Sequence, residues 1–278
     1  MSSKLYVVST PIGNLEDITL RALEVLRGVD TIACEDTRTT KKLLSRYQIT
    51  KPLTSYHEHN EAEKARDLIK KIQSGACVAI VTDAGTPGVS DPGYRIVKLA
   101  SEEGINIVPV PGPSAAIAAL SVSGLPTSGF AFFGFPPRSG KQLREFLKRV
   151  KNYPETLIFY ESPKRVIKTL DAVSEILGNR NISLSREITK IYEETLRGST
   201  TEVIDLLNER ESIKGEITIV VEGVSGDSDR LDPEQVDKLL LALKNSGISL
   251  KDAVKEMSAE SGMSKSNVYK RALEIWDK

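Results

Sequence analysis

The stretch from Cys77 to Gly93 constrains the fold of this chain more than any other. Val78 to Val81 is a short apolar, β-branched run of the length of a buried strand. It runs into two Asp, three Gly and two Pro within the eleven residues Asp83 to Gly93, ahead of a helical pattern at Tyr94, Ile96, Val97 and Ala100. In an open α/β sheet, the loop leaving the carboxyl end of a strand is where small ligands bind. Gly85 and Gly88 remove Cβ atoms, so backbone and ligand can approach closely. Pro87 and Pro92 fix φ and stiffen the loop. Asp83 and Asp91 offer carboxylates to ligand hydroxyl or amine groups, or to the next helix as caps. A rigid strand-to-helix turn is the competing reading; the density of Gly, Pro and Asp favours a site.

The same alternation recurs upstream. Leu5–Val8 and Thr31–Cys34 read as strands, each followed by a turn and a helix pattern, the first stopping at Gly28 and the second carrying Leu43, Leu44 and Tyr47. A charged helix spans 61–72, and Ile105–Val110 is a further strand before Pro111-Gly-Pro-Ser114, where Ser114 is placed to cap a helix. This β-α-β order predicts a mostly parallel sheet with helices on both faces. Turn-forming residues cluster at 124–129, which sets a first domain at 1–125. A second α/β domain, 126–225, has expected strands at 130–133, 156–160, 182–185, 191–196 and 216–221, with helices near 141–150, 164–177 and 201–207. A polar linker at 223–229 leads to a small all-α domain, 230–278. There Leu250–Met257 and a second helix capped by Ser264 flank a turn at Ser261-Gly262 as a helix-turn-helix.

With 278 residues there is enough chain for two or three cores. Lys and Arg balance Asp and Glu at 38 each, so contact with nucleic acid has to come from local patches. Cys34 and Cys77 read as buried thiols rather than a disulfide or a thiolate metal site. No apolar stretch near the N-terminus suits a signal peptide or a membrane span, so a cytoplasmic protein is expected. Ser9-Thr10-Pro11-Ile-Gly lacks the dinucleotide fingerprint, and no P-loop, H-E-x-x-H or C-x-x-C occurs. His57 and His59 would share a face at strand spacing, as a polar strand edge rather than a metal pair.

Several long motifs in order carry a resemblance. They are Val7 to Asp17, Cys34-Glu-Asp-Thr-Arg38, Ser55 to Asn60, Thr82 to Gly93, Pro111 to Ala115, Phe133-Gly-Phe-Pro-Pro137, Phe159 to Arg165 and Gly215 to Gly223. Together they resemble the ribosomal RNA small subunit methyltransferase I group of the tetrapyrrole methylase superfamily. The resemblance implies two α/β domains with S-adenosylmethionine in the cleft between them. It implies 2′-O-methylation of a cytidine in the decoding region of small-subunit rRNA, with the rRNA or the 30S subunit as partner, and a homodimer. It places the cofactor against Thr10 and Pro11, the run Asp83, Ala84, Gly85 and Thr86, the helix start Ser114 and Ala115, Tyr160 beside Glu161, and Gly215 to Thr218, including Ile217. The small-molecule tetrapyrrole methylases carry a Gly-rich run where this chain has Ser9, Thr10 and Pro11, which favours RNA as substrate. Ser114 as a plain cap and Tyr160 as core packing are the bland alternatives.

On the substrate side, a carboxylate is needed to take the hydroxyl proton. Asp36 sits at a strand end with Arg38, which suits a phosphate clamp; an Asp36–Arg38 ion pair capping the next helix fits equally. Glu161 is the other candidate base. Arg138, Lys141, Arg144, Lys148 and Lys151 form the best basic patch, opposite a buried face of Leu143, Phe146, Leu147 and Val150. Such a stripe suits phosphates, or is a solvated helix face. Lys265, Lys270 and Arg271 form a second group in the C-terminal helices. The rival functions are methylation of a porphyrin- or corrin-like ring, and non-catalytic nucleic-acid binding through the helix-turn-helix.

Overall fold

A computed structural model describes residues 3–224, 233–261 and 265–276. The first sheet is built from β1 (Leu5–Val8), β2 (Thr31–Cys34), β3 (Leu53–Ser55), β4 (Val78–Val81) and β5 (Ile107–Val110), all parallel, in the order β3-β2-β4-β1-β5. Strand β4 is buried along its whole length, and its side chains alternate between two cores. Ala79 and Val81 meet Leu23 and Leu26 of α1 (Leu20–Gly28) and Leu43 and Leu44 of α2 (Thr37–Arg46). Val78 and Ile80 meet Leu68, Ile69 and Ile72 of α3 (Glu61–Gln73) and Ile96 and Ala100 of α4 (Tyr94–Glu102). Burial on both faces is why these strands read as unbroken apolar runs. The expected parallel, doubly covered sheet is what forms.

Helix α5 (Ala115–Ser121) crosses to the second sheet, where Ala116, Ala119 and Leu120 pack on Ile158 and Val220. That sheet holds β6 (Phe130–Phe132), β7 (Thr156–Glu161), β8 (Asn181–Arg186), β9 (Glu194–Ser199) and β10 (Ile217–Val221) in the order β6-β7-β10-β8-β9. Only β6 and β7 are parallel; the other pairs are antiparallel. Its second face is covered by α6 (Gly140–Val150), α7 (Val166–Leu177) and α8 (Thr200–Asn208), which close on Leu157, Phe159, Ile219 and Val221. Strand β9 starts later than the apolar run at 191–196 suggested. Glu187 and Thr189 take φ of +52° and +66°, which breaks the extended chain, and pairing of Ser185 with Thr195 fixes the register. Ile191 and Tyr192 are left on the surface, 94% and 74% exposed.

Helices α9 (Pro233–Asn245), α10 (Leu250–Glu260) and α11 (Lys265–Trp276) enclose a separate small core of Val236, Leu240, Ala253, Val254, Met257, Val268 and Ala272. Residues 225–229 of the expected linker, the turn at Gly262 and the Ser264 cap lie outside the described residues. No helix among the described residues is long and apolar enough to cross a membrane. Cys34 is buried, but Cys77, just before β4, is only half-buried, because the chain enters the sheet there from a surface turn. His57 and His59 do not lie on a strand: β3 ends at Ser55, and the two rings meet edge-on in the following turn, 5.9 Å apart.

Candidate active site between the two sheets

The loops leaving β1 and β4 are tied together at the carboxyl edge of the first sheet. Thr10 N donates to Gly85 O at 2.9 Å, Gly85 N returns to Thr10 O at 3.1 Å, and Thr10 Oγ1 donates to the Thr82 carbonyl at 3.0 Å. Ser9 Oγ and Thr86 Oγ1 share a hydrogen bond of 2.8 Å. This ladder needs Gly85 at φ +84°, a conformation a β-carbon disfavours. Gly134, at φ +63°, brings the turn after β6 so near that a β-carbon there would stand 2.7 Å from Ser90 Oγ.

Between these loops and the second sheet lies a cavity of about 410 Å³, within the roughly 300–1,000 Å³ usual for small-molecule sites. Its floor is Ile12, Ala84, Gly85 and Thr86; Ser114 and Ala115 form one wall; Tyr160 to Pro163 and Gly215 to Thr218 face them; Val89 to Asp91, Phe135 and Ile188 form the rim. Ser114 stands at the helix N-cap without making a side-chain cap bond, so its hydroxyl is available to the cavity. Tyr160 packs edge-on against Phe132 and Phe135, and burial raises its hydroxyl pKa. An apolar cavity with a few hydroxyls, backbone edges and carboxylates suits a small molecule with an aromatic end and a charged end.

Of the expected cofactor residues, Ala84, Gly85, Thr86, Ser114, Ala115, Tyr160, Gly215 and Ile217 line the cavity. Thr10, bonded to Gly85 and Thr82, and Pro11 and Asp83 lie outside the lining. The Asp83 carboxylate accepts from Asp36 N at 3.1 Å, and its pKa is raised, first by burial and then by Glu35 and Asp36. Asp36 caps α2: it accepts from Arg38 N at 2.7 Å and from the Arg38 guanidinium at 2.6 Å. Those bonds hold its carboxyl at about 2, so the capping ion pair is what forms. Glu161 lines the cavity but is 2% exposed, accepting from Thr169 Oγ1 at 2.6 Å and Ser162 N at 2.7 Å. Arg165 lies 3.4 Å from it and donates onward to the carbonyls of Pro136 and Pro137. Among the described residues no cluster of three or more His, Cys, Asp or Glu is arranged to hold a metal ion.

The basic patch is partly spent. Arg144 is ion-paired with Glu175 of α7, while Arg138, Lys141 and Lys148 are exposed on α6 and its approach. Phe146 is half-buried rather than buried, with Arg149 stacked over its ring at 5.7 Å. In α11, Arg271 is bonded at two nitrogens to Asp237, both at 2.8 Å. Phe135, Ile188 and Ser162 were not anticipated as lining residues. They come from turns whose position depends on the second sheet's pairing; Phe135 and Ser162 lay inside the Phe133–Pro137 and Phe159–Arg165 motifs, and Ile188 in none of them.

Residues 4–204 match the tetrapyrrole (corrin/porphyrin) methylases. A protein of Halalkalibacterium halodurans named ribosomal RNA small subunit methyltransferase I is 46% identical over 275 residues, 95% of this chain and 93% of that one. One of the same name from Escherichia coli O157:H7 is 44% identical over 274 residues, 98% of this chain and 95% of that one. Among solved structures, uroporphyrin-III C-methyl transferase of Thermus thermophilus complexed with S-adenosyl homocysteine superposes with a TM-score of 0.55 at 20% identity, covering 80% of this chain and 97% of that one. A diphthine synthase does so at 0.61 and 14% identity, covering 83% and 92%. These two show the fold. Likeness at this level over nearly the whole chain places the protein in the ribosomal RNA small subunit methyltransferase I family of the tetrapyrrole methylases.

Proposed function

We propose that this chain transfers the methyl group of S-adenosylmethionine to small-subunit rRNA, at the 2′-hydroxyl of a cytidine in the decoding region. The observation that carries the reading is the 44–46% identity to rRNA small subunit methyltransferase I proteins across 95–98% of the chain. The cavity supports it. Ala84 to Thr86 and Gly215 to Thr218 offer backbone groups, Ile12, Ala115 and Ile217 an apolar slot, and Ser114 and Tyr160 hydroxyls. That set fits a cofactor with a flat heteroaromatic end and an amino-acid end.

When bound, S-adenosylmethionine supplies a methyl group on a sulfonium, an electrophile that needs no further activation. The protein then has to align the ribose hydroxyl, exclude water and accept one proton. Glu35 and Asp83 lie together at the carboxyl edge of the first sheet, where negative charge favours a cationic cofactor. Phosphates of the RNA meet Arg138, Lys141 and Lys148 instead, with Arg38, 88% exposed beside its partner Asp36, at the near edge. A cytoplasmic homodimer acting on the 30S particle completes the reading.

The test is methyl transfer from labelled S-adenosylmethionine to naked rRNA, to 30S subunits and to a uroporphyrin-type ring, with calorimetry for the cofactor. Label in small-subunit rRNA, mapped as 2′-O-methylcytidine, is the expected result. Label in the tetrapyrrole alone would overturn the reading, and so would RNA binding without cofactor affinity.

A further inference from the structure

Three carboxylates line the cavity: Asp91, Glu161 and Glu216. Glu161 is saturated by Thr169, Ser162 and Arg165 and serves the wall it belongs to. Glu216 is bonded to Lys190 at 3.0 Å and is 75% exposed. Asp91 differs from both. It makes no ion pair among the described residues, and it does not cap α4, whose N-cap is Gly93 with no side-chain cap bond.

The loop around Asp91 is built to hold it still. Gly88 N donates to Pro92 O at 3.3 Å and Val89 N to Thr86 O at 3.2 Å, so the loop closes on itself. Ser90 sits at φ +64° and Gly93 at φ +151°, where a β-carbon would come within 2.7 Å of Gly88 N. A non-glycine residue held at positive φ beside a cavity is strain kept by its surroundings. Here the surroundings include Gly134, in the turn after β6, close against Ser90.

We propose that Asp91 is the carboxylate that receives the proton of the substrate hydroxyl during methyl transfer. This rests on the methyl-transfer reading above. The ribose oxygen forms its bond to carbon as the carbon–sulfur bond breaks, with that electron pair going to sulfur, and the hydroxyl proton passes to the Asp91 carboxylate. The sulfonium charge is thereby discharged, and Asp91 returns its proton to water after release. Burial and the neighbouring Glu35 and Asp83 carboxylates push Asp91 up to about 6, against the Thr82 hydroxyl, which lowers it. Tyr160 faces it from β7. A base with that value is ionised at neutral pH yet stronger than an ordinary aspartate.

The test compares wild type with Asp91→Asn in three measurements. In protein carrying 13C-carboxyl aspartate, free of RNA, one resonance should titrate near pH 6 and vanish in the variant. Calorimetry with S-adenosylmethionine should give affinities within about threefold of each other, a difference well under 1.4 kcal/mol. Single-turnover methylation of the RNA substrate should fall by about 10²–10⁴ in the variant and lose the acidic limb that wild type shows. A variant that keeps the wild-type rate or the acidic limb would overturn the proposal. So would one that loses cofactor affinity and recovers its rate at saturating cofactor, since Asp91 would then hold the cofactor. If wild type itself methylates no RNA, the functional reading fails, and the proposal with it, in an arm that does not involve the variant.

Discussion

Replacing Glu161 by alanine should destabilise the second sheet and loosen the cavity rim without acting as the removal of a base. The carboxylate, at the end of β7, is buried against α7 and takes hydrogen bonds from Thr169 Oγ1, itself 1% exposed, and from Ser162 N. Truncation strands the buried Thr169 donor, at about 1–3 kcal/mol. It also leaves a small void and removes the buried partner of the half-buried Arg165, so a total of about 2–4 kcal/mol is expected. Arg165 keeps its bonds to the Pro136 and Pro137 carbonyls. The turn carrying Phe135 therefore loosens rather than detaches. Glu161→Gln keeps one acceptor oxygen and the side-chain volume, and should cost roughly 1–2 kcal/mol. The assay is urea unfolding followed by far-UV circular dichroism, with cofactor affinity and methyl-transfer rate measured on both variants. A loss under about 0.5 kcal/mol in Glu161→Ala would refute the anchoring argument, being no more than an ordinary surface substitution. A stable Glu161→Gln whose turnover falls by orders of magnitude would make Glu161 the base and refute the division of roles.

Asp36→Asn should leave cofactor affinity and turnover near wild type, because its carboxylate is committed to capping α2; a collapse of turnover with affinity intact would return it to the mechanism. The stability that Asp36 adds, present above its ordinary value of 3.8, is lost as pH falls through about 2. Asp91 runs the other way: its contribution is present below 3.8 and is lost as pH rises through about 6, so Asp91→Asn should flatten the stability profile across that window in a pH series of urea melts. Gly93→Ala forces a β-carbon onto the Gly88 backbone at 2.7 Å and should weaken cofactor binding about tenfold or more by calorimetry; unchanged affinity would mean that the loop adapts. Lys148→Ala should reduce the salt slope of RNA affinity by about one, whereas Arg144→Ala, already neutralised by Glu175, should change it little; equal slopes for both would move the RNA elsewhere.

Four strands of the first sheet were legible because each is short, apolar and followed at once by a turn and a helix; β3, Leu53-Thr54-Ser55, has one apolar residue and did not stand out. The Gly85 and Gly88 positions were legible for the same reason, since positive φ leaves a glycine in the sequence. The second sheet was harder. Its antiparallel order depends on pairings between distant segments, and the apolar Ile191 and Tyr192 suggested a strand where hairpin geometry puts a surface turn. Side-chain commitments were not legible at all. That Arg144 is paired with Glu175, that Asp36 is tied to Arg38, and that Ser114 leaves its helix uncapped all depend on neighbours whose separation in space no local pattern encodes. Glu161 entered as a base because a carboxylate at a strand end has the right chemistry; its partners Thr169 and Arg165 lie on the next helix turns and hold it as part of the wall.

The same edge of the first sheet has to accept a cation and tolerate a polyanion. Glu35 and Asp83 make it negative, which holds a sulfonium and an ammonium, and together with Asp91 they repel phosphate. The fold separates the two demands in space. The acids sit on loops of the first sheet, whereas Arg138 just before α6 and Lys141 and Lys148 on it lie over the second sheet. A backbone drawn toward α6 would bring its ribose to the cavity that Phe135 and Asp91 line, with its phosphates kept clear of Glu35 and Asp83. Specific placement of the ribose then follows from repulsion on one side as much as from attraction on the other. It also explains why a chain with no net charge can serve a nucleic-acid substrate: the field that matters is the gradient across the cleft, and the total charge says nothing about it.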